Sequence, residues 1–116
     1  MSKENRQADR VTTNYNVKMS RFSSPSSRFV QAKLVNISKG GCKLKMQDMQ
    51  TGFAVGEPIL ISFNLKDFEM EGGEILKLEA HVRWAYPDGS ELGCQFKEME
   101  LKTETLFLQM IECLTS

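Results

Sequence analysis

The sequence predicts a mainly β protein, a six-stranded antiparallel barrel with one C-terminal α-helix. Six segments alternate apolar and polar residues with the two-residue period of a half-buried strand. Short connections rich in Gly, Pro and Ser separate several of them, and only the C-terminal segment changes to the period of a helix. Strands in series with short turns, followed by a single helix, favour a barrel that the helix closes or plugs.

The first two predicted strands come after a polar leader, residues 1–10, which we expect to be flexible. Residues 11–19 place apolar side chains on one parity and polar side chains on the other, as a half-buried strand does. The proline and serine cluster at residues 23–27 disfavours a ladder and predicts a loop. A second strand over residues 29–35 leads into a turn at residues 36–41.

The remaining strands show the same alternation. Lysines alternate with apolar residues in the third strand, and the fifth strand has the clearest apolar parity in the chain. These four predicted strands cover residues 42–46, 59–65, 76–84 and 92–96.

The C-terminal segment predicts an amphipathic helix over about residues 102–115. Its apolar side chains lie three and four positions apart, on the stripe formed by Phe107, Met110, Ile111 and Leu114. A chain of 116 residues with 41% apolar content can bury one core. We therefore expect a single domain over residues 11–116, preceded by the leader.

The composition points to a cytoplasmic protein that has no membrane span. The chain has no long apolar run and no apolar stretch of a secretory signal near its N-terminus. Its three cysteines are an odd count without a CxxC pair, which argues against a disulfide framework and a zinc site and fits a reducing compartment. We expect Cys42, Cys94 and Cys113 to be small core residues.

Charge is distributed unevenly along a chain whose formal net charge is zero. Residues 1–33 hold seven Lys or Arg against two acidic residues, whereas residues 88–116 hold two against six. This asymmetry suggests an anionic partner for the N-terminal part, although a solvated basic tail would look the same. The neutral total argues against broad nucleic-acid binding.

Two short clusters carry the functional signal. The first is the pair Arg6 and Arg10, four residues apart in the leader. An arginine fork matches phosphate oxygens and the O6/N7 edge of guanine, and its plane can stack on a purine. Taken alone, this pair would be solvated surface charge.

The second cluster is the turn Asn36-Ile37-Ser38-Lys39-Gly40-Gly41. Asn36 and Ser38 can bond to a base edge or back to their own turn. Gly40 and Gly41 permit positive φ and let backbone amides approach an anion. Taken alone, this cluster favours a β-turn that caps its own backbone.

Together and in this order, the clusters resemble the RxxxR and [D/N]xSxxG signatures of the PilZ domain family. The likeness extends over about residues 5–115 and includes the late strands at residues 80–84 and 92–96. It implies a six-stranded barrel whose N-terminal segment folds over the bacterial messenger cyclic di-GMP, which family members often bind as an intercalated dimer of two molecules. Asn36 stands where many members have Asp, so this position is not a charged acceptor for guanine.

The resemblance also implies residue roles. Arg6 and Arg10 would grip phosphates and guanine faces, while Asn36, Ser38 and Gly41 would line the base and backbone side of the pocket. These expectations describe a receptor for cyclic di-GMP that requires no cofactor or metal and signals through an unknown protein partner. No P-loop, nucleophile elbow or zinc pattern indicates catalysis.

Four further residues have weaker or structural assignments. Gly40 and Arg83 are candidate contacts of lower rank. Trp84 lies on the apolar parity and is predicted to be core, although its place near a strand end could expose its edge to a base. His81 lies on the polar parity without a partner in sequence, which indicates surface structure.

Two other functions remain open from the sequence. One is a PilZ-like protein-interaction module that binds no nucleotide. The other is a small barrel that binds single-stranded nucleic acid, against which the scarcity of aromatics among the basic strands counts.

Overall fold

The computed structural model describes residues 11–21, 30–47, 53–68, 70, 75–86 and 90–115. The elements are, in chain order, β1 (Val11–Arg21), β2 (Val30–Ile37), β3 (Gly41–Met46), β4 (Pro58–Asn64), a 3₁₀ turn (Leu65–Phe68), β5 (Ile75–Ala85), β6 (Glu91–Phe96) and helix α1 (Leu101–Thr115). The leader, with Arg6 and Arg10, lies outside the described residues.

The six strands form a closed antiparallel barrel in the order β1-β2-β3-β6-β5-β4. The ring is completed by β1 and β4, which pair from Lys18 opposite Ser62 to Arg21 opposite Ile59. The predicted fold class is thus confirmed. Closure also leaves none of these six strands with an open edge for pairing with another chain.

The core fills the barrel with the inward parity of every strand. Leu34, Leu44, Phe63 and Leu78 are at most 1% exposed. Burial of each such side chain contributes roughly 1.5–3 kcal/mol. Helix α1 adds the stripe that its period predicts, and the Phe107 ring meets that of Phe96 edge to face, with centroids 5.1 Å apart.

Three register shifts interrupt the ladders of the described strands, one in β1 between Thr12 and Tyr15, one in β2 and one in β5. The β-bulges in β2 and β5 bear on the outer surface described below. On β2, Leu34 lies opposite Leu44 and Asn36 lies opposite Lys43, so Val35 is an extra residue. On β5, Arg83 is the extra residue between Val82 and Trp84. One inserted residue reverses the parity of the residues after it, so a side chain expected inside turns to the outer surface.

Three details differ from the sequence-based expectations. Asn36 belongs to β2, which runs two residues further than predicted, and not to the turn. Trp84 is 40% exposed and is not core, because the bulge at Arg83 turns it outward. Cys113 lies on the exposed side of α1, whereas Cys42 and Cys94 are buried as expected. No helix among the described residues is long and apolar enough to cross a membrane.

Candidate functional site

Strand register aligns four residues in one row across the outer surface of the barrel. Asn36 on β2 lies opposite Lys43 on β3, Lys43 lies opposite Gly93 on β6, and Gly93 lies opposite Trp84 on β5. Because neighbouring strands are about 4.8 Å apart, the row spans roughly 14 Å. The two bulges place its ends, since without them Asn36 and Trp84 would point into the core.

The turn between β2 and β3 is held by its own backbone. The Ser38 amide donates to the Gly41 carbonyl at 2.8 Å, and the Ser38 hydroxyl donates to the same oxygen at 3.4 Å. The Phe96 amide donates to the Gly40 carbonyl at 2.9 Å, which ties the turn to β6. Of the two roles that the sequence leaves open for Ser38, this arrangement shows the self-capping one.

The two glycines of the turn have different roles. Neither has the positive φ that the sequence suggests; among the described glycines only Gly56 does, at 91°. A Cβ at Gly41 would lie 2.2 Å from the Cys94 carbonyl oxygen, so β3 can approach β6 only because this residue has no side chain. A Cβ at Gly40 would meet nothing within 4 Å. The fold therefore constrains Gly41 and leaves Gly40 free.

Gly93 allows the Trp84 indole to lie across β6. A Cβ at position 93 would lie 2.0 Å from Trp84 Nε1 and 2.2 Å from Cε2. The ring is also 5.6 Å from that of Tyr86, centroid to centroid. A large aromatic surface is thus fixed on the outside of the barrel, where a flat ligand can stack on it.

Positive charge surrounds this surface. The Arg83 guanidinium donates to the Gln95 side-chain oxygen. Lys43 Nζ is 3.1 Å from Glu91 Oε1 and 5.9 Å from the centroid of the Trp84 ring. One of these cations is bound to a neutral amide and the other to a single carboxylate, so the face as a whole favours anions.

A cavity of about 530 Å³ opens on this face. The described residues that line it come from the turn and β3, from β5 and from β6, namely Ser38, Lys39, Gly40, Gly41, Cys42, Lys43, Arg83, Trp84, Gly93, Cys94 and Gln95. Three of them are cationic and none carries a carboxylate. The volume is in the usual range for ligand sites, about 300–1,000 Å³.

The Cys42 thiol, which lines the cavity, is a poor nucleophile. Cys42 and Cys94 are opposite each other in the β3–β6 ladder, and both are buried. The hydrogen bond with Cys94, together with burial, raises the pKa of the Cys42 thiol well above its usual value. A protonated thiol is a weak nucleophile. Within the described part of the chain, no three His, Cys, Asp or Glu residues are grouped to hold a metal ion.

The structure brings most of the predicted site residues together. Ser38, Gly40, Gly41, Arg83 and Trp84 line the cavity, whereas Asn36 belongs to the row but not to the lining. Sequence reasoning missed Lys43, Gln95 and Gly93. A glycine inside an alternating strand often marks close approach of another group, and this signal was available for Gly93.

Comparisons with known proteins agree with this architecture. The PilZ domain family matches residues 4–113. The PilZ domain of CeSA from a cellulose-synthesizing bacterium superimposes with a TM-score of 0.71 at 20% identity, covering 92% of this chain and 98% of that one. A search of curated protein sequences found no match.

Two other structures with the same fold were solved with a nucleotide. The PilZ domain of YcgR from Escherichia coli, with c-di-GMP, has a TM-score of 0.67 at 13% identity and covers 91% of this chain and 88% of its own. The K. pneumonia MrkH–c-di-GMP complex has a TM-score of 0.63 at 14% identity, with coverage of 91% and 49%. Identities this low establish the fold alone.

Proposed function

The chain belongs to the PilZ domain family, and on that premise we propose that it is a cytoplasmic receptor for cyclic di-GMP and not an enzyme. The observation that carries the proposal is the open cavity whose described lining holds three cations, an exposed indole and no carboxylate. A ligand with two phosphates and two guanines needs positive charge and flat apolar surfaces together. This face offers both.

The start of β1 supports a role for the arginine pair. Val11 lies opposite Ile37, the residue before Ser38, so the barrel begins beside the turn that borders the cavity. Arg10 is the residue before Val11, and Arg6 precedes it by four. We propose that both bind phosphate or guanine here, each hydrogen bond to a charged group contributing about 1.5–3 kcal/mol.

The aromatic and polar residues of the face contact the remaining groups of the ligand. Trp84 stacks on one guanine, a contact worth about 1–3 kcal/mol per base. Asn36 and Ser38 supply polar groups at the other end of the row, and Arg83 adds a cation near the indole. Gly41 lets β3 approach β6 closely, and Gly93 leaves the space in which the Trp84 indole lies, so that the indole forms part of the floor.

Signalling results from ordering the leader. Binding orders residues 1–10 against the barrel, and the entropy lost in that ordering reduces the net binding free energy. The ordered leader then changes the surface that a protein partner contacts.

Calorimetric titration tests this proposal with the wild type and with Arg6→Ala and Arg10→Ala. We expect micromolar or tighter binding to the wild type and at least a tenfold loss for each variant, from the loss of one charged hydrogen bond. Absence of heat from the wild type would refute the function. Unchanged affinity in both variants would refute the arginine assignment alone.

The second candidate is a PilZ-like interaction module without nucleotide binding. The observation that favours it is the self-capped turn, in which Ser38 satisfies the Gly41 carbonyl without a ligand. It predicts partner capture that cyclic di-GMP does not change, together with no calorimetric signal.

A further inference from the structure

We infer that Lys43 is a ligand-contacting residue and that Glu91 competes with the ligand for it. In the free protein Glu91 holds the Lys43 ammonium. A phosphate of the bound nucleotide takes that ammonium over. The inference rests on the proposed function and adds to it a specific exchange of anions at one side chain.

The position of Lys43 supports the contact. It lies in the middle of the row, between Asn36 on one side and Gly93 on the other, and it lines the cavity. Because Gly93 has no side chain, nothing from β6 stands between Lys43 and the Trp84 indole, 5.9 Å away. An anionic group beside a base stacked on Trp84 would therefore lie within reach of the ammonium.

The pair with Glu91 is close but incompletely satisfied. Lys43 Nζ and Glu91 Oε1 are 3.1 Å apart, with 30% and 22% of the side chains exposed. The carboxylate oxygen is shielded from solvent, yet it accepts no well-oriented hydrogen bond from the described residues. Charge alone holds such a pair, and another anion with better geometry can displace it.

A second cation is available to Glu91 when Lys43 turns away. Lys45 lies directly opposite Glu91 in the β3–β6 ladder and is exposed. Residues directly opposite on one face of an antiparallel pair have Cβ atoms about 4.5–5.5 Å apart. The carboxylate therefore does not have to lose its counter-charge when the ligand binds.

The test is a double-mutant cycle in cyclic di-GMP affinity, measured by calorimetry on the full chain. We expect Lys43→Met to weaken binding about tenfold, since a charged hydrogen bond is lost. Glu91→Gln should strengthen binding about two- to fivefold, because the competitor is gone. In the Lys43→Met background Glu91→Gln should have no further effect, which separates competition from a general change in charge.

Lys77→Met is the matched control. Lys77 is an exposed, outward-facing lysine at the other end of β5, and it does not line the cavity. Its substitution by Met changes the net charge by the same one unit as Lys43→Met. We expect less than about a twofold change in affinity, at the scale of screened surface charge. Thermal melting confirms that each variant is folded, as expected for partly exposed positions.

The possible outcomes distinguish a failure of the Lys43–Glu91 exchange from a failure of the proposed receptor function. A wild type that binds no cyclic di-GMP overturns both. A wild type that binds, with Lys43→Met no weaker than Lys77→Met, overturns the inference and leaves the receptor function standing. Weaker binding by Glu91→Gln, or an equal effect of that change with and without Lys43, also overturns it.

Discussion

The inner surface of the barrel depends on regular alternation along the strands, whereas the site on its outer surface depends on interruptions of that alternation. Inside, regular alternation places Leu34, Leu44 and Phe63 in a core with no measurable exposure. Outside, the site depends on departures from alternation: two bulges that turn Asn36 and Trp84 outward, and two glycines, Gly41 and Gly93, that leave the space in which the Cys94 carbonyl and the Trp84 indole lie. Regularity makes the barrel stable, and the irregular positions create the site. Substitutions should therefore separate stability from binding according to the surface they change.

Phe63→Ala should have the largest effect. Its ring is fully buried and meets Phe68 edge to face at 6.2 Å. Removing a buried phenyl ring and leaving a cavity costs about 3–5 kcal/mol. Chemical denaturation should show that loss. Destabilisation below about 1 kcal/mol would mean that the core is not packed as described.

Gly41→Ala should have the next effect, with Gly40→Ala as its matched control. The new Cβ at Gly41 would overlap the Cys94 carbonyl, so β3 and β6 must separate, and strain of this kind costs about 1–3 kcal/mol. Gly40 has free space around it, so its substitution should change the free energy of unfolding by less than about 0.5 kcal/mol. Equal effects of the two substitutions in denaturant melts would contradict the close approach of β3 to β6.

Trp84→Ala should reverse the pattern of Phe63→Ala. It removes a half-exposed ring from the outer surface, so the stability loss should stay near 1 kcal/mol. Binding should weaken by about 1–3 kcal/mol through loss of base stacking. Trp84 is the only tryptophan of the chain, so quenching of its fluorescence in the wild type reports the same contact. Quenching absent at saturating ligand would exclude stacking on this ring.

Modification of the native thiols should perturb the protein least. Cys113 is exposed, whereas Cys42 and Cys94 are buried and the Cys42 pKa is raised. We expect one thiol to react rapidly with a chromogenic disulfide reagent and two to react only on unfolding. Three fast thiols in the native protein would show that the β3–β6 wall opens readily.

The sequence predicted the features that periodicity controls. All six strands and the closing helix are predictable from alternation and from the stripe that includes Phe107. The bulges could not be predicted in the same way, because a bulge is a property of a strand and its partner together. Trp84 has the same sequence parity as Val82 and so resembles a core residue until the pairing with β6 shows that Arg83 is an extra residue between them.

The site was predicted in part for a related reason. Residue chemistry pointed to Ser38 and Gly41, but it assigned the glycine to positive φ when the real constraint is the distance to Cys94. The sequence of β3 predicts only that Lys43 alternates with apolar residues, since its neighbours Glu91 and Trp84 come from other strands. These roles depend on contacts between segments that are far apart in the sequence, and such contacts cannot be predicted from the sequence of one strand.

Chemical-shift mapping of the backbone amides during titration with cyclic di-GMP tests the central claim most directly. We predict saturable shifts concentrated at residues 6–10, 36–43, 83–84 and 93–95, with residues 59–63 and α1 nearly unchanged. Shifts centred on α1 or β4, or no shifts at all, would contradict a nucleotide site on the β3–β6–β5 face.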